Sequence, residues 1–185
     1  MQRRLFLQHT GASGAITALG AAASMAWPLS SGAQSGPPPS EAKAPPLPEL
    51  GTVWRLPPLA LLDGSQFTPE QVRGQVVVLY WWASTCPFCA LQSPEMHKLW
   101  TQYQAKGLKM LALSVDRKKE EALPYLQKRG YTFPAGWVTP EFQAVLPKPK
   151  GLPITVVLGR DGQVLQAERG QLFPEDVAQL ARWWT

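Results

Sequence analysis

The chain has 185 residues, 45% of them apolar, and a formal net charge of +5. That length and composition suit one globular domain with extra segments, because a core of this size forms without disulfides to hold it. The charge is too mild and too scattered for a nucleic-acid binder: Arg3 and Arg4 fall in an N-terminal targeting segment, and Arg117, Lys118 and Lys119 are followed at once by Glu120 and Glu121, the pattern of a solvated helix start.

Residues 1–33 read as an export signal. The run from Gln2 to Gln8 (QRRLFLQ) leads into a mildly apolar Ala/Gly-rich stretch from Gly11 to Ala26, and small residues (SSGA) precede Gln34. The order polar residue, two arginines, any residue, Phe, Leu resembles a twin-arginine signal, with Gln8 where a lysine is usual. The expected location is the periplasm, with a membrane tether if the signal is not cleaved. No cysteine stands near the cleavage point to take a lipid. Export of this type carries proteins already folded in the reducing cytoplasm, so the domain is expected to fold with its thiols free.

Residues 34–51 are proline-rich and poor in large apolar side chains, which predicts an extended polyproline-type linker. The folded domain is expected over residues 52–185. LALLDGSQFT reads as two short strands around an Asp63-Gly64 turn, and TPEQVRG as a helical turn closed by Gly74. Val76 to Trp82 form a continuous apolar run, the pattern of a strand buried on both faces. From Pro87 the period becomes helical, with Cys89, Gln92, Met96, Leu99, Trp100 and Tyr103 on one face and Gly107 at the end. LKMLALSV reads as a second buried strand and KEEALPYLQKRG as a helix despite Pro124. PITVVL and QVLQAE flank GRDG as a hairpin, and a last helix opens at Pro174. This order predicts an α/β sandwich with a mixed central sheet.

The two cysteines, Cys86 and Cys89, stand where the first central strand hands over to its helix. A structural staple, a metal clamp and a redox couple all begin with such a pair. The folding-before-export argument disfavours the staple. Zinc needs four ligands, and after residue 33 the chain offers only His97 besides the two thiols; two turns beyond Cys89, His97 would project away from Cys86. A two-coordinate Cu(I) carrier needs only the thiolates and stays open as a non-enzymatic alternative. A redox couple is favoured by position, since a helix N-terminus presents unpaired N–H groups and the positive end of the helix dipole to a thiolate. Cys86, at the cap, takes most of that benefit, with Pro87 suited to the first helical position. Cys86 would attack a partner disulfide and Cys89 would resolve the mixed disulfide.

These residues resemble the TlpA/ResA-like periplasmic thiol-disulfide oxidoreductases of the thioredoxin superfamily. VVVLYWWASTCPFCALQSPEM matches their strand, Trp-Ala-x-x-Cys-x-x-Cys and downstream proline, with Pro94 at the helix kink. GLPITVVLGRDGQV matches the segment carrying the cis-proline opposite the cysteines. The resemblance implies a thioredoxin-like sandwich with an N-terminal β-hairpin extension and one inserted strand-helix unit between the Cys-x-x-Cys helix and the cis-proline. It implies Cys86, Cys89 and Pro153 as catalytic residues, no cofactor beyond a redox-active Cys86–Cys89 disulfide, and no resident metal. Substrate docking would fall to Trp82, Pro87, Phe88 and the Leu152 backbone. The implied partners are periplasmic protein thiols and disulfides and a membrane electron donor of the DsbD or CcdA type; the protein itself is expected to be a monomer.

The chain departs from its relatives in several places. Where they often bury an acid, six residues before the first cysteine or three after the second, this chain has Tyr80 and Gln92; Glu95 and Asp116 become the candidates for proton transfer, and Lys150 for tuning the thiolate. Lys148 and Lys150, just before the cis-proline loop, could both stabilise the thiolate or attract acidic partners, but two solvated lysines are the simpler account. The dipeptide after Pro153 is Ile154-Thr155, and the Gly-x-Pro-Glu signature of cytochrome c maturation thioredoxins is absent. Of Trp81 and Trp82, which alternate across the strand, one is expected in the core and the other at the rim around Cys86. Ala83 stands where a peroxiredoxin has a threonine three residues before its nucleophile, which argues against peroxidase chemistry. Reduction of partner disulfides is the first expectation; oxidation of partner dithiols is the alternative.

Overall fold

Val77–Trp82 (β3) is the centre of the molecule because every one of its six side chains is apolar or aromatic and buried, so neither face of the strand can meet water. The computed structural model describes residues 43–184; the expected export signal, residues 1–33, and residues 34–42 of the expected linker lie outside the described residues. Before β3 come a two-stranded hairpin, β1 (Leu59–Ala60) and β2 (Gln66–Phe67), and a 3₁₀ turn over Pro69–Val72. After it come α1 (Pro87–Tyr103), β4 (Lys109–Ser114), α2 (Lys119–Arg129), β5 (Ala135–Trp137), α3 (Pro140–Val145), β6 (Ile154–Leu158), β7 (Val164–Arg169) and α4 (Pro174–Gln179).

The central sheet has the order β5-β4-β3-β6-β7. β3 runs parallel to β4, in register from Val77 opposite Lys109 to Trp82 opposite Ser114. On its other side β3 pairs antiparallel with β6, Trp81 facing Ile154. The sheet is therefore mixed, as the element order predicts.

Alternation along β3 divides the core into two layers. Val78, Tyr80 and Trp82 join Cys89, Met96 and Leu99 of α1, Ala122 and Leu126 of α2, and Val177 of α4. Val77, Leu79 and Trp81 face the opposite way, toward Leu59 and Phe67 of the hairpin and Phe142 of α3. The helix carrying both cysteines thus lies on one face of the sheet, and the N-terminal hairpin covers the other.

The inserted strand-helix unit is β5 and α3, which the sequence reading implied without locating. Three residues are too few for a periodic signal, and one of them is Gly136. Its lack of a side chain is required, because a Cβ there would collide with Leu59 of the hairpin. The Leu62 N–H closes this junction by donating to the Ala135 carbonyl at 2.8 Å. α3 does carry a local signal: Thr139 caps it, its hydroxyl accepting from the Phe142 N–H at 3.1 Å, with Pro140 at the first helical position.

The described part of the proline-rich stretch lies against the domain. The Lys150 N–H donates to the Pro45 carbonyl at 2.8 Å, the Gly51 N–H to the Val164 carbonyl at 2.8 Å, and Leu47 packs against the layer containing Trp81. Prolines fix an extended backbone but leave every carbonyl available, so such a segment can dock without forming a strand.

Candidate active site

The strand-to-helix handover places the two cysteines unequally. Cys86 is the N-cap of α1, with extended backbone angles (φ −84°, ψ 115°), and Pro87 follows at the first helical position. The Cys86 sulfur accepts the Cys89 N–H at 3.2 Å, so it satisfies one of the donors that a helix start leaves open. The two residues are joined as a disulfide with Cα atoms 5.2 Å apart. Cys86 is half-buried, whereas Cys89 is fully buried in the core layer under α1. Only the first sulfur is open to attack from outside.

The loop before Cys86 is anchored by Asp116. Its carboxylate accepts from the Ser84 N–H and the Ser84 hydroxyl, both at 2.7 Å through one oxygen, and from the Ser114 hydroxyl at 2.8 Å through the other. The Asp116 carbonyl in turn accepts from the Trp137 indole at 2.8 Å. Asp116 was a candidate for proton transfer; the geometry makes it a positioning residue, since both carboxylate oxygens are engaged in holding the cysteine loop to the end of β4. The carboxylate of Glu95, the other candidate for proton transfer, is half-buried and pairs with Lys98 at 2.7 Å, one turn further along α1.

Beneath Cys89 the polar groups are neutral. The Tyr80 hydroxyl lies 2.9 Å from the Ser93 hydroxyl and donates toward the Cys89 carbonyl at 3.4 Å. Burial pushes the Tyr80 phenol well above its usual value of 10, against a smaller opposing effect of the Ser93 hydrogen bond, so it stays protonated. The Gln92 amide donates to the Thr155 hydroxyl at 2.9 Å and accepts the Leu172 N–H at 2.8 Å. Gln92 was legible as an inward-facing residue; its two partners are remote in sequence and were not.

The cis-proline is where the resemblance put it: the Leu152–Pro153 bond is cis. The loop before it is held by Lys148, which is buried rather than solvated. Its ammonium donates to the Pro149 carbonyl at 2.8 Å and the Gly151 carbonyl at 3.0 Å. Lys150 has an exposed side chain, as a solvated lysine would, whereas Lys148 departs from that expectation and lines the cleft beside the site. A lone lysine between prolines carries no periodic signal that distinguishes the two.

The docking surface differs from expectation at the tryptophans. Trp81 and Trp82 are both fully buried, because β3 is covered on both faces; Trp82 packs on Tyr125 with ring centroids 5.4 Å apart. Neither ring can form a rim. Pro87 and Phe88 are exposed beside Cys86, Phe88 at 56%, and Leu91 one turn on is 59% exposed, an apolar residue at the surface that the sequence reading did not single out. On the other flank of Cys86, Ala83, Thr85, Asp116, Gln143, Lys148 and Leu152 line a cleft of about 620 Å³. No cluster of three or more metal-ligating side chains occurs among the described residues.

Comparison with known proteins agrees with this geometry. The model of the AhpC/TSA family matches residues 54–167. Thiol-disulfide oxidoreductase ResA from Geobacillus thermodenitrificans is 29% identical over 122 residues, covering 65% of this chain and 70% of its own; the ResA of Bacillus anthracis is 25% identical over 120 residues, covering 63% and 67%. Among solved structures, a thioredoxin-family thiol:disulfide interchange protein from Chlorobium tepidum TLS superposes with a TM-score of 0.67 at 18% identity, covering 74% of this chain and 98% of its own. Another from Chlorobium tepidum, described as thiol:disulfide interchange protein DsbE, gives 0.61 at 27% identity, covering 73% and 96%. The chain belongs to the AhpC/TSA family and is a thioredoxin-fold thiol-disulfide oxidoreductase related to the ResA, TlpA and DsbE-like proteins, with the Cys86–Cys89 disulfide as its redox centre.

Proposed function

We propose that the protein reduces disulfides in exported partner proteins. The observation that carries the exchange chemistry is the inequality of the two sulfurs, Cys86 half-buried at a helix N-terminus and Cys89 fully buried one turn inside; it serves either direction, and reduction is chosen because the TlpA/ResA-like branch that the chain resembles mostly reduces. In the reduced protein the Cys86 thiolate, favoured by the helix dipole, attacks one sulfur of the partner disulfide and expels the other as a thiolate, which takes up a proton. Cys89 then loses its proton and attacks the Cys86 sulfur, expelling the second partner thiolate. The partner gains two electrons and two protons, and the protein is left with the Cys86–Cys89 bridge. Pro87, Phe88 and the Leu152–Pro153 turn would hold the partner against Cys86. A return to the dithiol needs a two-electron donor, and a membrane thiol transporter of the DsbD or CcdA kind fits a periplasmic location reached through the twin-arginine-like signal. The ResA relatives, named thiol-disulfide oxidoreductases, support the chemistry.

The redox midpoint tests the direction. Residues 34–185, equilibrated in graded thiol buffers and followed by tryptophan fluorescence with Cys86→Ser as control, are expected to titrate near about −250 mV or lower; a value near roughly −120 mV would make the protein a donor of disulfides.

A further inference from the structure

We propose that the pole of the domain opposite the cysteines docks on a bilayer surface bearing anionic phospholipid headgroups, so that the redox centre faces away from the membrane. Such docking goes beyond the disulfide reaction and is independent of the direction of thiol exchange.

Basic residues that stand far apart in the sequence are gathered at this pole by the sheet. β3 starts here, with Val77 opposite Lys109 at the start of β4 on one side and opposite Leu158 at the end of β6 on the other. Lys106 lies in the turn that leads into β4, and Arg160 in the turn that follows β6. Arg73 stands in the loop before β3, and Arg55 is brought alongside by its neighbour Trp54, whose N–H donates to the Gly162 carbonyl at 2.9 Å. Arg55, Arg73 and Arg160 are all exposed and line one cleft of about 440 Å³. Their guanidiniums are loosely held: Arg73 reaches Glu70 only at 4.0 Å, with both side chains exposed, and Arg160 donates to the Gly74 carbonyl at 3.5 Å. The acids nearby are Glu49, Glu70 and Asp161, and Asp161 accepts the Gln163 N–H of its own turn at 3.0 Å. Cations therefore outnumber acids here, and guanidinium groups with N–H donors to spare suit phosphate oxygens.

The same pole exposes apolar side chains. Leu50 is 69% and Val53 54% exposed, and Trp54 is half-buried with its ring edge-on to Trp81. Leu50 and Gly51 form a turn, fastened beside the start of β7 by the Gly51 N–H on the Val164 carbonyl and by the pairing of Val53 with Gln163. Apolar side chains protruding between cations match a headgroup layer, which takes apolar groups at its acyl boundary and cations at its phosphates. A partner protein would need a pocket shaped to each protruding side chain, whereas a bilayer admits them at any point. The membrane tether expected if the export signal is not cleaved makes the contact intramolecular and raises the effective concentration of lipid. β3 runs about 20 Å from this cleft toward the cysteine loop, so docking holds Cys86 well clear of the headgroups.

Arginine footprinting of the full chain tests the orientation. Native protein is treated with phenylglyoxal on phosphatidylcholine vesicles with and without about 30% phosphatidylglycerol, and mass spectrometry of the peptides gives the modification rate at each arginine. Reading each arginine separately keeps any contact made through Arg3 and Arg4 apart from the contact proposed. Labelling of Arg55, Arg73 and Arg160 is expected to fall about fivefold or more on the anionic vesicles and to recover in about 0.5 M NaCl. Arg117, after β4, and Arg169, opposite Ile154, lie toward the cysteines and are expected to change by less than about twofold. Equal rates on the two kinds of vesicle, or protection of Arg117 and Arg169 instead, overturn the proposal. Protection by about 10 mM inorganic phosphate or by polyglutamate, with none on anionic vesicles, overturns it in favour of a small anion or an acidic protein. The Arg55→Gln/Arg160→Gln variant, altered only at exposed positions, is expected to lose the protection of Arg73, and protection that persists overturns the role of these charges.

Discussion

Gln92 donates its side-chain amide to the Thr155 hydroxyl at 2.9 Å, across 63 residues of chain, and so joins the helix that carries both cysteines to the strand that begins after Pro153. Its carbonyl oxygen accepts the Leu172 N–H at 2.8 Å, bringing the approach to α4 into the same junction. A single buried amide therefore sets the helix, the cis-proline strand and the last helix relative to one another.

Replacing Gln92 by Leu keeps the volume but strands the Leu172 N–H and removes the acceptor-donor bridge. A loss of about 2 to 3 kcal/mol is expected, because a buried donor left unpaired carries its full desolvation cost. Urea unfolding at constant m-value measures it, and a loss under about 0.5 kcal/mol would show that the junction tolerates its removal.

The Tyr80 phenol makes stability fall in alkali. Its pKa is raised in the folded protein, so above pH 10 the unfolded chain releases a proton that the folded chain retains, and folding weakens as pH rises. Below pH 10 both states hold the proton and the contribution is complete. Tyr80→Phe is expected to flatten the decline by up to about 1.4 kcal/mol per pH unit, while costing about 1 kcal/mol at neutral pH through the lost Ser93 bond. Unfolding curves from pH 8 to 11.5 would expose an unchanged slope.

Asp116→Ala frees Ser84 from two hydrogen bonds to a carboxylate and loosens the three residues that lead to Cys86. Bonds to charged groups contribute about 1.5 to 3 kcal/mol each at most, so a destabilisation of roughly 2 to 4 kcal/mol is expected. If Asp116 were instead the proton acceptor for Cys89, Asp116→Asn would remove a pH-dependent step from mixed-disulfide resolution. The positioning role predicts that the asparagine variant keeps the native pH profile with a reduced amplitude, read by stopped-flow fluorescence.

Cys89→Ser should accumulate a stable mixed disulfide through Cys86 when mixed with an oxidised partner protein, because the sulfur that would expel the partner is gone. Cys86→Ser should form none, as Cys89 is fully buried. Mass spectrometry of quenched mixtures distinguishes the two. Adducts on Cys89 in the second variant would reverse the assignment of roles.

Hydrogen peroxide is expected to turn over no faster with the protein than with a free thiol at the same concentration, since Ala83 supplies no hydroxyl three residues before Cys86. A peroxide-specific electrode would record any sustained catalytic rate, which would sink this expectation.

Local information was sufficient for the parts of this molecule built from neighbouring residues. The unbroken apolar run of β3, the change of period at Pro87, the Asp63-Gly64 turn and the Cys86-Pro87-Phe88-Cys89 start of α1 are written in consecutive residues, and the structure has each of them. The resemblance around the cysteines and Leu152-Pro153 extended this to the fold, including an inserted unit whose place the short β5 concealed. Tertiary structure alone decided what surrounds the sulfurs. Whether Trp82 forms a rim or a core depends on what covers β3, and α1 and α2 cover it. Whether Asp116 and Lys148 stand in solvent or hold loops depends on Ser84 and on the carbonyls of Pro149 and Gly151 being folded against them. The Gln92 junction spans Thr155 and Leu172, and no pattern in consecutive residues encodes a partner that only chain folding brings within 3 Å.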